Sequence, residues 1–221
     1  MRKLSVVVPA LNEAAGIERC LRALSPLRAR GHEVIVVDGG STDGTPQRAA
    51  PQCDRVIAAP RGRAMQMNAG AAAATGDALL FLHADTALPA DADRAVLAAL
   101  GGRAWGRFDV AIDSRDARLA VVALCMNWRS RLSGIATGDQ AIFVRRADFP
   151  GFPPIALMED VAFSKAMKRV SPPACLRERV RTSARRWERH GVLRTVFLMW
   201  RLRLQYWRGA DADELARRYS H

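Results

Sequence analysis

Short apolar blocks alternate with helical patterns along the first hundred positions. Residues 4–9 (LSVVVP) form a β-branched run suited to a strand buried on both faces. Ile17, Cys20, Leu21 and Leu24 then recur at helical spacing. Residues 33–38 (EVIVVD) read as a second buried strand, closed by the turn-rich Gly39-Gly40-Ser41-Thr42-Asp43-Gly44, which can cap a following helix. Residues 54–58 are a weaker third strand, 63–75 an Ala-rich helix, and 78–83 (ALLFLH) a fourth strand. This alternation predicts βαβ units, hence an α/β fold with a mostly parallel central sheet flanked by helices. Beyond residue 100 the rhythm changes. Strands are expected at 104–112 and 140–145, helices at 116–132 and 159–169, an apolar helix interrupted by arginines at 192–207, and a short helical tail at 209–221.

In an open parallel sheet, ligands gather at the carboxyl ends of the strands. The four strand ends carry Leu11-Asn12-Glu13, then Asp38 with its Gly-Gly-Ser turn, then Arg61-Gly62-Arg63, then His83-Ala84-Asp85. Each alone reads as a cap or a turn, but together they bring acids and arginines to one edge. Asp38 can accept hydrogen bonds from a pyrimidine NH or a ribose hydroxyl. Arg61 or Arg63 can pair with a phosphate through a bidentate fork. Asp85 can hold a divalent ion between two phosphates. Neither GxGxxG nor GxxxxGK[ST] is present, which argues against a dinucleotide-binding Rossmann domain and a P-loop.

Charge adds a regional asymmetry. The net charge is +12, yet residues 1–160 carry 19 basic and 17 acidic residues, while 161–221 carry 15 and 5, a net of +10. Such a tail suits an anionic partner, a membrane surface included, or a solvated Arg-rich face. The four cysteines, at 20, 53, 125 and 175, are too scattered for a zinc site or a disulfide framework and read as buried small hydrophobes in a reducing compartment. No apolar run reaches the length of a transmembrane helix, and Pro9, Asn12 and Glu13 cut the N-terminal run too short for a signal peptide.

The segments VVVPALNE, VVDGGSTDGT, RGRAMQMNAGAAAATGDALLFLHADT, TGDQAIFVRR, MEDVAFS and ARRW, in this order, resemble the family 2 glycosyltransferases of the GT-A fold. Within that family they are most similar to the small bacterial arsenosugar-biosynthesis-type enzymes. The resemblance implies a single GT-A domain over residues 1–221, Rossmann-like, with a nucleotide-sugar half (1–95), an acceptor half (96–190) and a helical C-terminal extension (191–221). It implies a donor that is a nucleotide-diphosphate sugar, with a divalent Mn²⁺ or Mg²⁺. Pro9, Asn12, Glu13, Asp38, Gly40, Arg61, Asn68, His83, Ala84, Asp85 and Arg186 would bind that donor. Asp85 matches the second acid of the family's DxD metal motif; His83 stands where the first acid is expected and is a weaker metal candidate. Glu159-Asp160 matches the family's catalytic pair, Asp160 being the base. Gly138, Asp139 and Trp187 would face the acceptor, although Asp139 also suits a plain turn. Arg186-Trp187 resembles the end of the QxxRW motif of processive members, but Ser183 replaces its Gln, which speaks against polymer synthesis.

The resulting expectation is a cytoplasmic, metal-assisted, inverting glycosyltransferase. Its acceptor is either a small molecule or a polyprenyl-phosphate-type lipid at the inner face of the membrane. The 192–207 helix is open to three readings: packing on its own core, a homodimer seam, or membrane contact. A basic binding module for membrane or nucleic acid is the competing class, nucleic acid being disfavoured. A nucleotidyltransferase is disfavoured because residues 10–16 lack that class's Gly-rich loop with following Arg and Lys.

Overall fold

The computed structural model describes residues 3–220. Eight strands form one sheet in the order β3-β2-β1-β4-β7-β6-β8-β5. The strands are β1 (Leu4–Ala10), β2 (Glu33–Asp38), β3 (Arg55–Ala58), β4 (Ala78–Phe81), β5 (Thr86–Ala87), β6 (Trp105–Asp113), β7 (Phe143–Arg145) and β8 (Ala174–Ser183). The helices are α1 (Ile17–Ala29), α2 (Thr45–Ala49), α3 (Arg63–Ala73), α4 (Ala92–Ala99), α5 (Ala117–Ser133), α6 (Glu159–Met167), α7 (Arg185–His190), α8 (Val192–Trp207) and α9 (Ala212–Ser220).

The apolar strand runs divide by period two between the faces. Val6, Val8, Val34, Val36 and Leu80 point into one core, completed by Ile17, Leu21 and Leu24 of α1 and Val96 of α4. Val7, Ile35, Val37, Leu79 and Phe81 point into the other, completed by Ala64, Met67 and Ala71 of α3 and Phe163 and Met167 of α6. The approach of α3 is close enough that a Cβ on Gly70 would lie 2.3 Å from Val7 Cγ1. A glycine inside a helix is retained here because only hydrogen fits against the sheet.

β1 pairs in parallel with β2 on one side and β4 on the other. Strand order therefore reverses at β1/β4, and a crevice opens beyond their carboxyl ends. The sheet is mostly parallel, as the strand–helix alternation predicts, with an antiparallel part that the pattern does not announce. Four pairings are parallel, but β4·β7, β6·β7 and β5·β8 are antiparallel, so the sheet is mixed.

Five described elements escape the hydrophobic pattern: α2, α4, β5, α7 and β8. The most consequential, β8, reads ACLRERVRTS and exposes Arg177, Glu178, Arg179 and Arg181, so no apolar alternation announces it. The strand expected at 140–145 begins only at Phe143. Before it, residues 138–140 form a 3₁₀ turn with a reciprocal capping box between Thr137 and Gln140. The cysteines also divide: Cys20 and Cys53 are buried, Cys175 is half-buried and Cys125 is exposed.

Candidate active site

The crevice is the mouth of a cleft of about 900 Å³. Pro9, Glu13, Arg61, His83, Ala84, Asp85, Gly138, Asp139, Glu159, Asp160, Arg186 and Trp187 line it, so most of the candidate residues share one space. Four do not line it. Asn12 lies outside it, at positive φ (55°), its Oδ1 accepting from Thr42 N at 3.0 Å while Ser41 Oγ accepts from its own N–H, so it ties the β1 and β2 loops together. Gly40 forms the turn after β2, and its N–H donates to Asp38 Oδ2 at 2.9 Å. Asn68 is turned toward Phe152: its Nδ2 donates to the Phe152 carbonyl and its Oδ1 accepts the Phe152 N–H, each at 2.8 Å. Asn68 thereby braces the loop before α6.

Asp38 sits one strand from the cleft, opposite Ala10 in register. It is buried, with Oδ2 accepting from Gly40 N and Ser41 N, while Oδ1 is buried without a hydrogen-bond partner. A buried carboxylate oxygen left in this state is poised for a donor from a ligand. Gln66 of α3 holds this edge together, its Nε2 donating to the carbonyls of Ala10 and Val37.

Asp85 is brought to the opposite wall by β5, whose Thr86 pairs with Thr182 of β8 and donates to its hydroxyl at 3.1 Å. The same strand delivers α7. Arg185 at its start reaches across the cleft mouth, with Nη2 3.4 Å from Glu13 Oε2 and 3.8 Å from Asp85 Oδ2. Ser183 steadies it, Oγ accepting from the Arg185 backbone N–H and from Nε.

At the inner end, Asp160 is fixed by two backbone N–H donors: Gly138 to Oδ2 at 2.9 Å and Val161 to Oδ1 at 2.7 Å. Burial raises its pKa, against the lowering effect of those two donors and of Arg63. Glu159 is buried against a small pocket walled by Met67, Phe81, Ile142 and Phe152. Burial first, and then the charge of Asp160, push Glu159 up to about 7. Asp139 behaves oppositely. Burial favours its neutral form, but the His83 imidazole, 3.5 Å away, together with Arg63 and Arg186, leaves its pKa lowered. Two non-glycine residues at positive φ bracket this region, Ala141 (45°) and Met158 (69°). Strain of this kind collects where a site fixes its own backbone.

His83 is wedged between the strand end and the turn. A Cβ on Gly138 would lie 2.6 Å from His83 Nε2, and Nδ1 faces Asp139.

Residues 5–145 match the family model described as glycosyl transferase family 2. The chain belongs to glycosyltransferase family 2. Among curated proteins, a glucosyl-3-phosphoglycerate synthase of Mycobacterium tuberculosis is 37% identical over 98 residues, 40% of this chain and 30% of that one. A PGL/p-HBAD biosynthesis glycosyltransferase of Mycobacterium bovis is 40% identical over 91 residues, 38% of this chain and 36% of that one. The chain thus spans about a third of the length of these curated relatives. The fold is GT-A. A crystal structure of the M. tuberculosis synthase with Mn²⁺, UDP and glucosyl-3-phosphoglycerate superposes with a TM-score of 0.60 at 24% identity, covering 82% of this chain and 71% of that one. The mannosyltransferase PcManGT of Pyrobaculum calidifontis, with GDP-Man and Mn²⁺, gives 0.66 at 19%, covering 96% and 66%.

Several residues in or at the edge of the cleft were not anticipated. Arg185 is next to an expected arginine, but only β8 shows that it spans both acidic loops. Arg129 of α5 and Arg203 of α8 line the cleft with buried guanidinium nitrogens, Nε and Nη2 of Arg129 and Nε of Arg203, that have no hydrogen-bond partner. Burial lowers the Arg129 pKa while Asp160 opposes that shift. Helix periodicity alone could not tell these arginines from solvated ones.

Proposed function

We propose that this family 2 member transfers a sugar from a nucleotide-diphosphate sugar to an acceptor hydroxyl with inversion, Asp160 acting as the general base. The observation that carries the reading is Asp160 itself. It is a half-buried carboxylate held by two N–H donors, in the same cleft as Asp85, Arg61 and Arg186. Burial raises its basicity, as a proton acceptor for an alcohol needs. The bond to the departing diphosphate breaks through an oxocarbenium-like transition state. Arg61, Arg63 and Arg186 would draw the developing negative charge, while Asp38 Oδ1 accepts from the base or ribose of the donor. The donor is a uridine or guanosine diphosphate sugar, as in the solved relatives that hold UDP or GDP-Man.

The residues present fit a divalent ion shared with the donor. Among the described residues no group of three His, Cys, Asp or Glu could enclose an ion alone, and Asp85 offers one hard carboxylate at the cleft mouth. One carboxylate plus substrate phosphates is how Mg²⁺ is commonly held at phosphate sites. Asp85 would hold the ion, with His83 a lesser candidate because its ring is engaged by Asp139 and Gly138. The ion would neutralise charge on the leaving diphosphate.

The donor side falls in residues 1–95 and the acceptor side in 96–190, with α8 from the extension completing the acceptor wall. Gly138, Asp139 and Trp187 would face the acceptor. Within the family, the chain would belong with the small arsenosugar-biosynthesis-type enzymes that its motif set resembles. A lipid-like acceptor such as a polyprenyl phosphate is favoured by a specific feature. Val121, Val122, Cys125 and Met126 of α5 and Met199 and Trp200 of α8 make one wall apolar, and Arg129 and Arg203 offer unpaired donors to an anionic group.

The decisive experiment pairs thermal shift with turnover in Asp160→Asn. The variant should keep the stabilisation given by UDP or GDP with Mn²⁺ while sugar transfer falls roughly 10²-fold or more. Undiminished turnover would remove Asp160 as base, and a chain stabilised by no nucleotide diphosphate would remove the donor assignment.

A further inference from the structure

Two helices on the rim of the cleft each carry an apolar stripe that the fold leaves uncovered. On α8, Leu193, Phe197, Trp200, Leu204 and Trp207 are exposed, Phe197 and Trp200 at 71% and Trp207 at 75%. At 3.6 residues per turn these five positions share roughly 80° of arc. The opposite side of α8 is already docked. Val192, Thr195 and Leu202 are buried, and Leu198 and Tyr206 pack with Met158, Val161 and Leu215. A surface helix of a globular protein needs one apolar stripe; α8 has two. Between them, Arg194, Arg201 and Arg208 run along one flank, all exposed, while Val196, Met199 and Arg203 line the cleft on the other.

The second stripe is on α5, where Val121, Leu124, Trp128 and Leu132 are exposed, Leu132 at 81%. Val121 and Trp200 both line the cleft, so the two stripes meet at its mouth. Exposed apolar surface of this extent marks a docking face.

We propose that this two-helix face docks on an anionic bilayer, its tryptophans, leucines and Phe197 entering the boundary between headgroups and acyl chains, so that the cleft opens onto the lipid surface. Charge selects this occupant. Neither α5 nor α8 contains an Asp or Glu, and the exposed Arg194 and Arg201 of α8, with Arg208 just beyond it, flank the stripe. An arginine row beside an aromatic and aliphatic stripe is the pattern of helices lying in the plane of a negatively charged interface. A second copy would bring a chain of net charge +12 against itself, arginine row facing arginine row. The proposal goes beyond sugar transfer and holds whichever donor or acceptor is used.

The test is vesicle flotation of the full chain without any nucleotide. Vesicles of phosphatidylcholine alone are compared with vesicles that also contain phosphatidylglycerol. Binding is expected on the second kind only, weakening as ionic strength rises. F197E with W207E on α8, and separately W128E with L132E on α5, should each lower the bound fraction at least tenfold. Neither pair lines the cleft. Both should keep the wild-type thermal midpoint and the shift given by nucleotide diphosphate, which separates lost docking from lost fold or lost donor binding. Equal binding to neutral vesicles, absence of binding to both, or an α5 pair that binds like wild type would overturn the proposal. So would a dimer in light scattering that the same substitutions dissolve.

Discussion

At the scale of single residues, the paired acids at the start of α6 differ because their surroundings differ. Asp160 receives two backbone N–H bonds, whereas Glu159 meets Met67, Phe81, Ile142 and Phe152. Glu159 is therefore held up to about 7 against an ordinary 4.5. Its folded pKa lies above its unfolded one, so between those values the folded chain binds a proton that the unfolded chain has released. Stability should then fall as pH rises from about 4.5 to about 7 and level off above. Glu159→Gln should flatten that slope and raise the thermal midpoint above neutral pH, read by unfolding scans across the range. An unchanged slope would show that Glu159 is not the group that titrates. The pair itself was legible in the sequence; its division into a hydrogen-bonded and an apolar carboxyl was not, because the apolar walls come from α3, β4 and the loop that Asn68 braces.

At the scale of elements, the junction of β6 with α5 rests on one acid. Arg107 is fully buried and ion-paired with Asp109, and Arg131 of α5 donates to Asp109 Oδ2 at 2.7 Å. Asn127, also on α5, clamps Val110 with bonds to its N–H and carbonyl, both 2.9 Å. Removing a single partner from a buried ion pair leaves an uncompensated charge. Asp109→Ala should therefore destabilise the chain by about 3–5 kcal/mol in denaturant unfolding. A loss under about 1 kcal/mol, the range of exposed pairs, would mean that Arg107 finds another partner. Arg107 and Asp109 sit in a segment read correctly as a strand, but a charged pair two residues apart on one strand face reads equally well as a solvent-facing pair. Burial was decided by α5 closing over it.

At the scale of the whole molecule, the cleft joins segments far apart in the chain. Asp85 follows β4, but its place opposite Glu13 and beside Arg185 depends on β5 pairing with β8 nearly a hundred residues later. That placement makes Asp85 the group expected to link nucleotide and ion. Asp85→Ala should abolish the extra thermal stabilisation that Mn²⁺ adds to UDP or GDP while leaving the smaller metal-free shift. An undiminished Mn²⁺ effect would move the ion elsewhere. By itself the sequence determined the buried strands β1, β2 and β4, the helices α1 and α3 and the acids and arginines at the strand ends, because period and turn chemistry are local properties of the chain. The tertiary structure alone decided the antiparallel part of the sheet, the reach of Arg185, the burial of the Arg129 guanidinium nitrogens and the uncovered faces of α5 and α8. Arg185 owes its place to β8, where charge interrupts the apolar pattern, and burial is a property of what packs against a residue rather than of the residue itself.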